Sequence, residues 1–510
     1  MIKKRNELRS GVYLSYLNLA ISSVIPFVYT PVMLRILGQA EYGLYSLSNS
    51  VVGYLSLLSF GFGGTVVRYL AKYRAEEKSD EVEKTYGFFL ILYGILAVVV
   101  MIGGVLLSRN VEGIFDKGLL PNEISKMKIL VLIMAFNMAM SFPISVFSSV
   151  AIAHERYFFR KIMDIVSTVA APLANLIALY LGYASVGIAL AGTVVQLLMA
   201  PVSMMYCTRV LKVKPKFVRI SKTLVREMLG FSVFVFIGSL VDMLFWATDK
   251  VILGMLASST AVAIYNVGGT FNNMVMSVST SISSVFTPRI TGMVVTNQAK
   301  DDLSALMIRI GRIQFYIVAL VVSGFTVFGK TFINLWAGVE YKDAYWITIM
   351  TLFPMCIPLI QNIAKSIVIA QNKHQFRSIV YLIIAIINVI STYIVVPYTG
   401  IIGAAFCSCI SYLVGQGLIM NIYYYKITGL DIPLFWKNIL KLSIIPGAIM
   451  MLGLLLKRIC PIEHWLSFFV GVMIYVIIYC LTMYIFAMND YEKDIIRKPI
   501  IKLCKVCKFK

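Results

Sequence analysis

The chain has 510 residues, of which 59% are hydrophobic and only 14% are charged, and its mean hydropathy is +0.84. A soluble chain of this length typically carries about 25% charged residues. The composition therefore predicts an all-α, polytopic membrane protein, with no polar stretch long enough for a soluble catalytic or nucleotide-binding domain. The net charge of +22 does not indicate nucleic acid, because the basic residues are scattered between apolar runs of lipid-spanning length.

The apolar runs, at about 20 residues per crossing, predict about fourteen transmembrane helices. In chain order these cover residues 11–34, 43–67, 86–107, 129–153, 162–182, 186–207, 229–254, 263–287, 310–334, 345–370, 378–397, 400–424, 439–456 and 465–487. The first run is too long for a signal peptide and is interpreted as an uncleaved helix. Internal prolines are expected to kink or break three of the helices, namely at Pro26, Pro31, Pro143, Pro354 and Pro358.

The distribution of Lys and Arg assigns the sides of the membrane. Loops on the N-terminal side, together with the two terminal segments, contain 35 of the 46 basic residues, and the opposite loops contain 9. Because positive charge accumulates in cytoplasmic loops, both termini are expected in the cytoplasm. The basic tail, residues 489–510, is expected to lie on anionic membrane lipid.

Three segments recur in the same order, at offsets of 216 to 220 residues. The pairs are Leu37–Tyr45 with Ala257–Tyr265, Ala153–Arg160 with Ala370–Arg377, and Val186–Ala189 with Ile402–Ala405. Both copies begin in the cytoplasm, so they predict two parallel six-helix repeats, related by an axis along the membrane normal. The predicted domains are an N-terminal lobe (1–208), a basic linker (209–228), a C-terminal lobe (229–425), helices 13–14 (426–488) and the tail.

No motif in the sequence carries catalytic chemistry. The chain has no phosphate-binding Gly-rich motif, no H-E-x-x-H sequence and no plausible Ser/His/Asp arrangement. The pair Cys504 and Cys507 lacks the two further ligands that a zinc site requires. We therefore expect a protein that is not an enzyme, with no cofactor and no metal.

Several segments resemble the signatures of bacterial polysaccharide flippases. They are Pro31–Tyr45, which enters helix 2, Phe60–Lys72 within helix 2, and Asp249–Gly254 followed by Ala263–Tyr265. The second copy has Ala263 where the family usually shows Gly. This family is related to MATE-type multidrug exporters and lipid II flippases. The resemblance implies a V-shaped, MATE-like bundle that moves undecaprenyl-diphosphate-linked oligosaccharide to the outer leaflet.

Helix 7 carries candidate ion-coupling residues. Asp242, Trp246 and Asp249 lie on one helical face, and Asp242 is expected near the bilayer midplane. Ionised groups at this depth cost about 2.5–3.5 kcal/mol on insertion scales. We interpret Asp242 and Asp249 as ion-coupling residues and Lys250 as substrate-binding. The alternative is that these groups only fasten helix 7 to its neighbours.

Candidate substrate-binding residues lie on helices 2 and 8. Asn272 and Asn273 are expected to hydrogen-bond sugar hydroxyls. Arg68 and Arg289, 221 residues apart, are expected to bind the diphosphate bidentately at the cytoplasmic entrance. Polar stripes obey the same offset, with Asn49, Ser56, Ser59 and Gly63 matching Thr270, Ser277, Thr280 and Ser284. Close helix packing alone would explain the stripes, and the positive-inside bias alone would explain the arginines.

The sequence thus predicts a flippase for lipid-linked oligosaccharide in the bacterial cytoplasmic membrane, working by alternating access. Its expected partners are this substrate, membrane lipids, and possible polysaccharide polymerases and glycosyltransferases, with no nucleic acid. One alternative is a cation-coupled multidrug exporter of the same fold. A third hypothesis is an integral-membrane glycan polymerase or acyltransferase.

Overall fold

The structure, a computed structural model, describes residues 2–218, 236–296, 299–459, 462–495 and 497–498. The predicted linker after residue 218, the start of predicted helix 7 and the tail from residue 499, with Cys504 and Cys507, lie outside the described residues. Within them the chain is almost entirely helical and has no strand. The prediction of an all-helical, multi-pass membrane protein is confirmed.

The helices follow one another with short connections. The first eight are α1 (Ile2–Gly53), α2 (Phe62–Ala75), α3 (Ser79–Phe115), α4 (Pro121–Ala153), α5 (Tyr157–Tyr180), α6 (Ala184–Met205), α7 (Phe236–Trp246) and α8 (Thr248–Leu256). The next five are α9 (Ser259–Ser284), α10 (Thr287–Val295), α11 (Lys300–Trp336), α12 (Ala344–Ile360) and α13 (Asn362–Ala370). The last four are α14 (His374–Tyr412), α15 (Met420–Tyr423), α16 (Ile432–Ile459) and α17 (Trp465–Thr482).

Nine helices in the described part of the chain are long and apolar enough to cross a membrane, or ten if α12 and α13 form one bent span. The number is below fourteen partly because two continuous stretches each contain two predicted spans. These stretches, Ala20–Ala75 and Gln375–Thr428, include the non-helical glycines Gly38 and Gly400. In addition, two helices are not counted as spans. Helix α9 is uncharged but rich in Ser, Thr, Asn and Gly, and the described part of α7 is only Phe236–Trp246. The count of fourteen stays a prediction.

Most of the prolines that were expected to break helices do not do so. Helix α1 continues through Pro26 and Pro31, and α4 continues through Pro143. The chain instead leaves helical geometry at Gly38, which has a φ of 76°. Only the last two expected prolines precede a sharp bend, since α12 and α13 meet at 48° just after Pro358.

By its contacts the chain divides into two compact units. Unit 1 comprises the residues up to Asn266 together with Asn388–Ala404, and unit 2 comprises Val267–Ile387 together with the residues from Ala405 onward. The domain boundaries predicted from the sequence stay a prediction, because a division by contacts does not identify repeats.

Aromatic packing between α2, α3 and α4 forms a core in unit 1. Phe89 is fully buried, with its ring centroid 6.4 Å from that of Phe62 and 6.5 Å from that of Tyr93. Tyr93 in turn meets Phe142 edge to face at 5.8 Å. Large interlocked rings of this kind hold three helices in one fixed arrangement.

The beginning of the predicted linker is fastened to α3. The extended segment Leu211–Val218 brings Lys216 Nζ within 2.8 Å of a carboxylate oxygen of both Asp80 and Glu83. The Lys216 amide also donates a hydrogen bond to the Glu83 carbonyl oxygen at 3.0 Å. The backbone approaches so closely that a Cβ on Gly87 would lie 2.1 Å from the Lys216 carbonyl oxygen. This part of the linker therefore belongs to the packed structure of unit 1.

In unit 2 a buried ion pair fastens the segment after α17 to α11. Arg312 donates to both carboxylate oxygens of Glu492, from Nε at 2.6 Å and from Nη2 at 2.9 Å. Tyr316 Oη donates to the same carboxylate at 2.6 Å, and Glu492 is only 3% exposed. Asn489 and Glu492 also cap the following helical turn reciprocally, each accepting the other's backbone N–H. Burial raises the pKa of Glu492, but the hydrogen bonds from Arg312 and Tyr316 outweigh it and hold this pKa below its usual range.

We expect Glu492→Gln to lower the free energy of unfolding by about 3 kcal/mol, because it leaves the Arg312 guanidinium without its counter-charge. Thermal unfolding of the purified protein in detergent measures the change. The matched control is Asp494→Asn in the same segment. It removes an exposed ion pair with Lys498 and should cost less than about 1 kcal/mol.

The same pair has a defined pH dependence. Since the pKa of folded Glu492 is below its unfolded value, its contribution is present above that unfolded value, about 4.3 for Glu. It is lost as the pH falls through the folded pKa. Equal stability of Glu492→Gln and wild type at neutral pH would contradict this account.

Candidate functional site

A buried carboxylate lies at the start of the short helix α8. Helix α7 ends at Trp246 and α8 begins at Thr248, after the single distorted residue Ala247, which has a φ of −107°. Asp249 is in the first turn of α8. Its side chain is only 1% exposed. The break between α7 and α8 therefore places a carboxylate at a helix N-terminus inside the protein.

Hydroxyl groups from two other helices contact this carboxylate. Tyr265 of α9 donates a short hydrogen bond from Oη to Asp249 Oδ2. Thr392 of α14 donates to Oδ1 at 3.4 Å. Asn388, one helical turn before Thr392 and on the same face, is fully buried. Oxygen-rich surroundings of this kind suit exchange of a proton or a hard cation at the carboxylate.

A second set of polar contacts adjoins the first. Lys250 Nζ donates to Asn266 Oδ1 at 3.1 Å, and Asn266 Nδ2 donates to Tyr42 Oη at 2.6 Å. The hydroxyls of Tyr54 and Thr248 share a short hydrogen bond. We name all these groups the unit 1 polar network: Tyr42, Tyr54, Thr248, Asp249, Lys250, Tyr265, Asn266, Asn388 and Thr392. It assembles α1 and the turn after it with α8, α9 and α14.

The candidate residues of helix 7 lie in different surroundings. Asp249 and Lys250 enter the unit 1 polar network, whereas Asp242 is exposed on α7. Asp242 and Asp249 are thus not in equivalent surroundings, although their spacing would place them on one face of a continuous helix.

The asparagines of α9 also lie in different environments. Asn272 is 2% exposed and donates from Nδ2 to Thr351 Oγ1 of α12 at 2.6 Å. Its Oδ1 has no hydrogen-bond partner among the described residues. Asn273 is exposed. The structure therefore places Asn272 in helix packing and Asn273 on the surface of α9.

An exposed polar face continues along α9 from Asn273. Its further members, one to three turns on, are Ser277, Thr280, Ser281 and Ser284. The hydroxyls donate to carbonyl oxygens of their own helix, for example Ser277 to Asn273 at 2.8 Å and Ser281 to Ser277 at 2.7 Å. Each hydroxyl proton is thus satisfied within the helix, and the oxygen lone pairs remain available as acceptors.

Arg68 and Arg289 are both exposed, and each is described within its own unit. Arg68 lies in the middle of α2 in unit 1, and Arg289 lies in the first turn of α10 in unit 2. The planar set of donors of a guanidinium matches the geometry of phosphate oxygens.

Sequence reasoning missed most of the unit 1 polar network. Tyr42 and Tyr265 lie within the recurring segments, but the sequence does not show which groups their hydroxyls contact. Asn388 and Thr392 come from a helix more than 130 residues beyond Asp249 in the chain. Among the described residues no group of three His, Cys, Asp or Glu side chains is arranged to hold a metal ion.

Comparison with solved structures identifies the fold. The chain matches the lipid II flippase MurJ in an inward closed conformation with a TM-score of 0.75, at 14% identity, over 95% of this chain and 100% of that one. It matches an inward-facing MATE family multidrug transporter of the MOP superfamily with a TM-score of 0.63, at 14% identity, over 83% and 99% of the two chains. An outward-facing structure of such a transporter gives 0.54, at 14% identity, over 85% and 97%.

Among curated proteins, none matches this chain. The sequence model of one family, described as polysaccharide biosynthesis protein, matches residues 8–294. This match covers more than half of the chain and includes α8, with Asp249 and Lys250, and all of α9. The chain therefore belongs to the polysaccharide biosynthesis protein family and has the fold shared by MurJ and the MATE transporters of the MOP superfamily.

Proposed function

We propose that the protein is a flippase that moves undecaprenyl-diphosphate-linked oligosaccharide from the inner to the outer leaflet of the bacterial cytoplasmic membrane. The observation that carries the proposal is the combination of a polysaccharide biosynthesis family match with a fold shared with a lipid II flippase. The first points to a glycan and the second to a carrier of lipid-linked cargo. Glycosyltransferases would supply this cargo on the inner side of the membrane, and polymerases would use it on the outer side.

Alternating access is the mechanism we propose. Solved structures of this fold include inward-facing and outward-facing conformations of MATE transporters, so the fold tolerates both. Two parallel six-helix repeats in a V-shaped bundle, with helices 13 and 14 outside it and both termini in the cytoplasm, would give such a protein two lobes.

Recurring local geometry supports the two repeats. Phe159 stacks on Tyr206 at 3.6 Å in unit 1, and Phe376 stacks on Tyr423 at 4.5 Å in unit 2, with both residues of the pair shifted by 217. The helices that carry Tyr206 and Tyr423 both end in a widened, π-helical turn, at Tyr206–Val210 and Tyr424–Thr428. The turns that follow α4 and α13 each contain one non-glycine residue in the left-handed region, Glu155 and Asn372, again 217 apart.

The unit 1 polar network supplies the candidate ion-coupling site of the proposed flippase. A carboxylate buried to 1% exposure is costly unless it is hydrogen-bonded, protonated or bound to a cation. Of the two predicted ion-coupling residues, the buried Asp249 therefore has the stronger support. The proposed ion-coupling role of Asp242 has less support, because this residue is exposed.

A cation-coupled multidrug exporter is the second candidate function. The fold match to MATE transporters favours it, whereas the family match favours the glycan carrier. In cells that lack the gene, expression of the protein should restore surface polysaccharide and leave sensitivity to cationic dyes unchanged. Dye resistance without restored polysaccharide would decide for the exporter. A glycan polymerase or acyltransferase would instead lengthen or modify glycans already present in the outer leaflet.

We expect Arg68→Lys combined with Arg289→Lys to lower polysaccharide export by about ten-fold or more, because Lys keeps the charge but loses the bidentate fork. Surface polysaccharide per membrane-inserted protein is the measurement. The control is Arg209→Lys, outside the proposed entrance. Full export by the double variant would return both arginines to a role in topology alone.

We expect Asp249→Asn to insert and fold but to transport about ten-fold more slowly and to lose any response to a proton or sodium gradient. The amide still accepts the hydrogen bond from Tyr265 but neither releases a proton nor neutralises a cation. Proteoliposomes with imposed gradients measure this. Asp242→Asn serves as the comparison, and a gradient response retained in Asp249→Asn would remove the carboxylate from coupling.

We expect cysteines at Ser277 and Thr280 to react with a hydrophilic methanethiosulfonate reagent, because the exposed polar face of α9 should meet water, where the thiol ionises. Ile477→Cys tests a lipid-facing site, since this apolar side chain is 52% exposed on α17. Ser279→Cys tests a buried site on the same helix. Labelling of all four to the same extent, or of none, would contradict a water-lined face.

A further inference from the structure

We propose that the connection Gly254–Ser259, between α8 and α9, is a latch that closes the external side of the protein and must separate from α1, α3 and α4 in every transport cycle. The proposal rests on the proposed alternating-access function and on the predicted topology. That topology places three connections on the external side: α8–α9, α3–α4 and the one around Gly38 in α1. All the contacts described next lie within unit 1.

The first contact joins the latch to α1 without an intervening side chain. A Cβ on Gly43 would lie 1.8 Å from the carbonyl oxygen of Ser259 and 3.3 Å from Ala263 Cβ. No side chain fits there, so only glycine allows the two backbones to approach this closely. Ser259 is 2% exposed as a result.

The second contact repeats this arrangement on another element. A Cβ on Gly118, after α3, would lie 2.1 Å from the carbonyl oxygen of Gly254. Gly254 in turn faces the Leu47 side chain, 2.5 Å from where its own Cβ would be. The two ends of the latch, Gly254 and Ser259, are therefore each seated against a glycine of a different element.

A single acidic residue completes the closure. Glu123 Oε1 accepts a hydrogen bond from Ser259 Oγ at 2.6 Å. Glu123 Oε2 accepts from the backbone N–H of Leu120 at 3.0 Å, which orients the carboxylate at the start of α4. The hydroxyl of Ser259 is thus held by a group that α4 itself fixes.

These contacts differ in kind from those of a permanent core. The α2–α3–α4 core interlocks large aromatic side chains, and separating them would expose extensive apolar surface. The latch instead meets its partners through glycine backbone, the Leu47 side chain and one hydroxyl–carboxylate hydrogen bond, and water replaces such a bond at a small net free energy. The close fit specifies the closed state, and the small apolar contact allows it to open.

A methyl group at either glycine should therefore shift the protein towards the open state. The reporter is Ala261→Cys, only 5% exposed beside the latch, in a background without native cysteines. We expect Gly118→Ala or Gly43→Ala to accelerate its labelling by an impermeant maleimide added outside the cell about ten-fold, as a population shift requires.

Gly113→Ala is the matched control for Gly118→Ala. It lies within α3, and a Cβ there would have no atom within 4 Å. Its labelling rate should equal that of the parent protein. Equal acceleration by Gly113→Ala and Gly118→Ala, or no acceleration by either latch variant, would overturn the proposal.

Cross-linking provides a second test that does not require a destabilising substitution. Glu123→Cys with Ser259→Cys, bridged by a short reducible bis-methanethiosulfonate, should stop polysaccharide export, and a reductant should restore it. Each single cysteine variant treated in the same way should continue to export. Full export by the bridged protein would show that the connection never opens.

The two tests also separate this proposal from the proposed function. Maleimide labelling reports opening whatever the cargo is. If wild-type protein moves no lipid-linked oligosaccharide but the glycine variants still accelerate labelling, the latch stands and the flippase assignment fails. If wild-type protein transports but the latch variants label like the parent, the latch fails alone.

Discussion

The requirement that every polar group inside an apolar helical protein be satisfied locally governs this structure. Asp249 shows it most clearly, because its carboxylate is almost completely buried yet accepts hydrogen bonds from Tyr265 and Thr392. Those donors come from helices that are far apart in sequence. The carboxylate therefore fixes how α8, α9 and the Asn388–Ala404 part of α14 pack together.

The same requirement is met in unit 2 by different chemistry. Arg312 and Glu492 neutralise each other and are completed by Tyr316, so a charged pair is held in a buried position without an unmatched charge. On α9 the hydroxyls donate to their own helix backbone, which needs no partner helix. Charges are thus paired through tertiary contacts, whereas exposed hydroxyls are satisfied within one turn.

Composition and periodicity were sufficient to predict the class of the fold, because lipid-spanning apolar runs leave few alternatives. They could not predict where helices break. Pro26 and Pro31 are accommodated within α1, while the chain leaves helical geometry at Gly38 and Gly400. Breaks depend on what neighbouring helices accept, and a single sequence does not contain that information.

The candidate site was predictable in part for the same reason. An Asp and a Lys in an apolar run are conspicuous, so Asp249 and Lys250 were found from the sequence. Their surroundings were not, since Thr392 and Asn388 are ordinary polar residues until the fold brings α14 beside α8. Asn272 likewise has surroundings that the sequence did not indicate, because it donates a hydrogen bond to Thr351 within the helix packing, and its predicted contact with sugar stays a prediction.

The attachment of Leu211–Val218 to α3 makes the first part of the basic linker a fixed element of the fold. Because Lys216 is bound by Asp80 and Glu83, the chain that leaves α6 is held on α3 again at this point. Residues inserted between the end of α6 and Lys216 would therefore have to bulge out of a segment that is held at both ends.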